Sequence, residues 1–170
     1  MSRFRHRPTT AVLANLDLPA GDRVLAGVQL TGGGWAVAST RGLHLAHDDG
    51  TSPATTPWCD VDRGSLDPES RTLTVWWVSG ARRDLVLPDD ADGQAFARVF
   101  RDRVQQSVVH AVTVPLPGGG TARVALRRGP DGTLFTQAVG DGSADLSNPE
   151  VATALLRAES QVREAAGLEA

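Results

Sequence analysis

Lysine and tyrosine are absent from this chain, and cysteine occurs once, as Cys59. A lone cysteine excludes an intramolecular disulfide and gives no sign of an oxidising compartment. Without lysine there is no Gly-Lys-Ser/Thr phosphate loop, so Gly32-Gly33-Gly34 and Gly118-Gly119-Gly120 read as hairpin turns. No run approaches the ~18 apolar residues of a membrane-spanning helix. The basic start, Met1-Ser2-Arg3-Phe4-Arg5-His6-Arg7, lacks the apolar stretch of a signal peptide, so a cytoplasmic protein is expected. There is no Gly-x-Ser-x-Gly elbow, and His110 has no local partner that would make it a base.

All 17 basic side chains are therefore arginine, a bias that fits a GC-rich coding background. Acids number 20 and the net charge is −3, which gives nonspecific nucleic-acid binding no overall electrostatic support. The 170 residues, 41% of them hydrophobic, suffice for a compact core without staples.

Short alternating segments dominate. Val24 to Leu30, Trp35 to Ser39 and Leu43 to Ala46 form a meander with tight turns at Gly32-Gly33-Gly34 and Arg41-Gly42. His47 to Pro57 reads as a polar loop and Trp58 to Val61 as a short strand. Leu66-Asp67-Pro68-Glu69 is a turn. Leu73, Val75 and Trp77 alternate with Thr72, Thr74 and Trp76, which sends two adjacent tryptophans to opposite faces. Asp84 to Leu87 follows as a strand. The period then changes: Phe96, Val99, Phe100, Val104 and Val108 have helical spacing, with Asp89 or Asp90 available as N-cap. Three further strands are expected around Val112–Leu116, Ala122–Leu126 and Leu134–Val139. A last helix is signalled by Asn148-Pro149-Glu150, with an apolar stripe of Val151, Leu155, Ala158 and Val162.

A run of short antiparallel strands closed by one amphipathic helix resembles a pleckstrin-homology-like (PH-like) barrel. The stretch Arg101-Asp102-Arg103-Val104-Gln105-Gln106-Ser107-Val108-Val109, with Arg41-Gly42-Leu43 before it and Arg127-Arg128 after it, is similar to an uncharacterised actinobacterial family. The resemblance implies an α+β fold, an antiparallel PH-like β-barrel or β-sandwich closed by the helix, in a bacterial protein. The expected organisation is a flexible basic tail (1–10), the barrel with its closing helix (11–109) and a β-β-β-α extension packed on it (110–170). Phe96 or Phe100 stands where the closing helix of such barrels carries a tryptophan. The first hairpin loop, Thr31 to Gly34, lacks the basic residues that bind lipid head groups in such barrels.

Five residues stand out as binding candidates. Trp76 shares its face with Thr72 and Thr74, and a part-exposed tryptophan anchors partners well. Arg103 falls inside the apolar stripe of its helix, where it must snorkel or pair with Asp60, Asp62 or Asp84. Arg123 and Arg127 share a strand face that reads as solvated; with Arg128 and the tail arginines they could form a basic surface, but one without interleaved aromatics. His44 and His47 read as chance histidines of a surface turn rather than zinc ligands, and Cys59, next to Asp60, as a buried structural thiol.

With no catalytic signature, metal set or cofactor motif, the leading expectation is a non-catalytic protein-interaction module whose partner is another protein. The first alternative is a nucleic-acid-associated protein using the arginine-bearing face. The second is a small-ligand-binding protein with a pocket near Arg103. Open strand edges would allow a homodimer.

Overall fold

The computed structural model describes residues 8–49, 51, 53–145 and 147–169. The tail arginines Arg3, Arg5 and Arg7 lie outside the described residues. Among the described residues the fold is α+β with three separate antiparallel sheets, and the chain divides into two compact units between Gln105 and Gln106. Among the described residues the sheets do not close into a barrel, the first of the two forms expected above.

Among the described residues the first element is α1 (Thr10–Asn15); most of the tail expected over 1–10 lies outside the described residues. The Thr9 hydroxyl accepts from the Val12 N–H and caps this helix. Four strands follow in spatial order, β1 (Val24–Gln29), β2 (Trp35–Ser39), β3 (Gly42–Ala46) and β4 (Ala54–Pro57). β4 lies in the expected loop. It is an exposed edge strand, so its Ala-Thr-Thr-Pro sequence carries no apolar alternation, and its proline sits at the end, where no ladder bond is lost. β2 and most of β3 are buried on both faces. Trp35 and Val37 pack with Val12 and Leu16 on one side, while Ala36, Ala38, Leu43 and Leu45 face the main core.

Trp58–Asp60 is a 3-10 turn, not a strand, and it delivers β5 (Val61–Asp67). β5, β6 (Thr72–Trp77) and β7 (Arg82–Val86) form the second sheet. β5 has no apolar alternation because its inward position opposite Val75 is Gly64. A Cβ there would collide with the Phe100 ring, which lies over the strand instead.

Phe100 comes from α2 (Ala91–Ser107), capped by the Asp90 carboxylate, which accepts from the Asp92 and Gly93 N–H groups at 3.0 and 2.9 Å. Its Phe96 and Phe100 enter a core shared by both sheets: Val28, Leu43, Trp58, Val61, Leu73, Val75 and Leu85 among others. Phe100 meets Trp58 edge-on with centroids 5.8 Å apart, and the Trp58 indole donates to the Ser39 carbonyl at 3.0 Å. Each fully buried phenylalanine contributes about 1.5–3 kcal/mol by transfer from water.

The second unit is a three-stranded sheet, β8 (Val108–Pro115), β9 (Thr121–Arg128) and β10 (Leu134–Gly140), with β9 central and α3 (Pro149–Ala165) on one face. Val108, which helical spacing assigned to α2, instead begins β8 opposite Arg127. Val151, Leu155, Ala158 and Val162 of α3 pack on Ala122, Val124 and Leu126 of β9. Asn148 caps α3, its side chain accepting from the Glu150 N–H at 2.9 Å, and Pro149 takes the first turn.

Candidate functional site

The outer face of the β5–β6–β7 sheet carries cross-strand rows set by the pleat. In one row Arg63, Trp76 and Arg82 are neighbours; in the next, Ser65, Thr74 and Asp84; in the third, Asp67, Thr72 and Val86. The tryptophan thus stands between two arginines, each one strand spacing of about 4.8 Å away.

A β-bulge aims the first of them. Pairing runs from Val61 opposite Trp77 to Arg63 opposite Trp76, so Asp62 is the inserted residue. Asp62 is buried, and its Oδ2 accepts from Arg63 Nη1 at 3.0 Å. That contact holds the guanidinium carbon 4.7 Å from the Trp76 ring centroid. Arg63 keeps 64% of its side chain exposed, so its remaining donors face solvent. Arg82 is exposed on β7, an edge strand, and Trp76 is half-buried. In the second row the Thr74 hydroxyl donates to Asp84 Oδ1 at 2.7 Å, which occupies the nearby acid. The row thus sets one indole under the Arg63 guanidinium, with the exposed Arg82 as its backbone neighbour on the other side, and guanidinium groups have the donor geometry for carboxylates.

Arg63 and Arg82 were not legible as partners of Trp76. Arg63 lies between a turn and what reads as a strand ending at Val61, and the bulge that sets its register leaves no mark in the sequence. The one available signal was the double tryptophan, whose two residues do separate: Trp77 packs against the core and its indole donates to Thr56 Oγ1 at 3.2 Å.

The other candidates do not converge on this row. Arg103 is half-buried on α2 and makes no ion pair among the described residues; Asp62 is taken by Arg63 and Asp84 by Thr74. The strip of arginines expected to be solvated is not one surface. Arg127 is fully buried, with Nη1 donating to the Ser107 hydroxyl at 3.0 Å, and Arg123 is half-buried on the same strand face. Arg128 is exposed but pairs with Leu134 on the opposite face, the one that carries α3. Alternation puts Arg123 and Arg127 on one strand face; what it could not show is that Arg127 is fully buried and Arg123 half-buried.

A polar network in the first unit was also missed. His44 is buried on β3, not part of a surface turn. Its Nε2 lies 2.9 Å from Ser39 Oγ and its Nδ1 2.9 Å from Thr55 Oγ1. Ser39 Oγ is in turn 2.8 Å from Asp22 Oδ2. The single serine proton goes to the charged carboxylate, so Nε2–H donates to Ser39 and the Thr55 hydroxyl donates to Nδ1. Histidine here is a donor to serine, the reverse of a general base, and both side chains are shut away from any substrate. Burial pushes the His44 pKa below its ordinary value against the raising effect of Asp22. For Asp22, burial acts to raise the pKa, but hydrogen bonds from Thr40, Ser39 and the Arg23 and Arg41 N–H groups together hold it below the usual carboxylate value. The network ties the turn before β1 to the β2–β3 hairpin, a structural task.

Cys59 is buried, and its Sγ lies 3.9 Å from Asp60 Oδ1 in the same turn. Among the described residues no three His, Cys, Asp or Glu side chains are grouped to hold a metal ion, and no helix is long and apolar enough to cross a membrane. No family model, curated protein or solved structure matches this chain.

Proposed function

We propose that this protein is a non-catalytic interaction module that docks an acidic segment of another protein on the outer face of β5–β6–β7. The observation that carries the reading is the Arg63–Trp76–Arg82 row, with Arg63 held over the indole by the buried Asp62. Tryptophan and arginine are the residue types that dominate binding energy at protein interfaces. An arginine already ordered by a buried carboxylate loses less freedom when a partner arrives. Two sheets sharing a core with α2 also support the resemblance to PH-like domains, on which surface faces serve as docking sites.

An acidic peptide is favoured over nucleic acid for a specific reason. One ring face of Trp76 already carries the Arg63 guanidinium, which takes the place a stacked base would need. The burial of Arg127 also takes one of its arginines from the surface on which the nucleic-acid alternative was built.

The test is fluorescence anisotropy of a labelled oligoglutamate peptide and a labelled single-stranded oligonucleotide of equal charge, titrated with the full chain. Peptide binding that weakens about tenfold or more in Trp76→Ala and in the Arg63→Glu/Arg82→Glu pair supports the reading. Tighter binding of the oligonucleotide would replace it with the nucleic-acid alternative. Binding of neither probe would remove it.

A further inference from the structure

The side of α3 turned away from its sheet has a property independent of the tryptophan row. Thr153, Leu156, Arg157, Ser160, Gln161 and Glu164 line a shallow depression of about 320 Å³ along the helix. Leu156 is 64% exposed, the most exposed of the large hydrophobic side chains among the described residues. Neither Arg157 nor Glu164 makes an ion pair among the described residues. These two are seven positions apart, two helical turns or about 10 Å, and so share one azimuth.

The stripe complements its own reverse. In an antiparallel pair of α3 helices crossing between Ser160 and Gln161, Arg157 of each copy lies level with Glu164 of the other. Leu156 then lies level with the small Ala165. Ser160 at the crossing point is small enough to let the backbones approach at the 8–10 Å typical of packed helices. A two-fold axis there satisfies both charges twice, as an isologous interface requires. We infer that the outer face of α3 docks a second copy of this chain, antiparallel, through reciprocal Arg157–Glu164 ion pairs around Leu156. The helix is 17 residues long, about 25 Å, so the contact is below the size of a standard stable interface and the dimer is a weak, concentration-dependent one.

The geometry makes an unusual demand on charge-reversal variants. Arg157→Glu alone sets two carboxylates against each other at both contacts, and Glu164→Arg alone sets arginine against arginine. Mixed together, the two variants are complementary at both contacts. The experiment is sedimentation velocity on the full chain over a concentration series into the millimolar range, for the wild type, each single variant and their equimolar mixture. Unchanged thermal melts confirm that both surface variants fold. The wild type is expected to dimerise with concentration, each variant to dimerise about tenfold or more weakly, and the mixture to form a heterodimer at least as tight as the wild-type dimer. A wild type that stays monomeric throughout overturns the inference. So does a dimer untouched by either reversal, or a mixture that does not reassociate.

Discussion

Arg63 and Trp76 face each other across β5 and β6, guanidinium over indole, with the arginine's other contact going back to the buried Asp62 on its own strand. The bulge that inserts Asp62 therefore does two things: it buries a carboxylate beneath the sheet surface and turns the next side chain onto the aromatic ring. For stability the arrangement counts little. Arg63 is mostly exposed, so the ion pair and the cation–π contact together are worth no more than about 1 kcal/mol. Arg63→Ala should lower unfolding stability by less than about 1 kcal/mol in urea denaturation. A larger loss would mark the row as structural rather than a recognition surface.

Gly64 is a different case, because it touches the core. Gly64→Ala forces a methyl group into the Phe100 ring and should cost about 1–3 kcal/mol. Phe100→Ala opens the space, so the cost of Gly64→Ala should largely vanish in that background. Urea midpoints of the two single variants and the double variant measure the coupling.

That glycine also marks where the sequence stops being readable. β1, β2, β6 and α3 were legible because their inward positions carry Val, Leu, Ala or Trp at a regular period. β5 hid because its inward position is glycine, filled by a side chain from a distant helix, and β4 because an exposed edge needs no apolar face. His44 looked like a surface residue because β3 is covered on both sides, and nothing local says so. Of the candidate site, Trp76 and its face with Thr72 and Thr74 were visible; its two arginines depend on cross-strand register and a bulge, which are tertiary facts.

Acid should weaken the first unit through His44. Its folded pKa lies below the ordinary 6.5, so the unfolded chain takes up the proton first. Its contribution is complete above pH 6.5 and declines as pH falls from there toward the folded value. Asp22, also lowered, acts in the same sense below 3.8. His44→Gln should lose stability at neutral pH but show a flatter decline just below pH 6.5 than the wild type. An unchanged decline would place the acid sensitivity elsewhere.

Arg127 and Arg128, adjacent in sequence, should behave oppositely. Arg127→Ala removes a fully buried side chain and its hydrogen bond to Ser107, a loss of at least about 2 kcal/mol. Arg128→Ala alters an exposed side chain and should fall within about 0.5 kcal/mol of the wild type. Thermal melts of the two variants distinguish a structural arginine from a surface one.

Docking of an acidic protein segment on the Trp76 face can be measured by panning a random dodecapeptide library on the immobilised full chain, with Trp76→Ala panned in parallel. The expected result is a wild-type pool enriched in Asp and Glu that the Trp76→Ala protein no longer retains. Pools that are the same for both proteins, or a wild-type pool with no acidic enrichment, would contradict it.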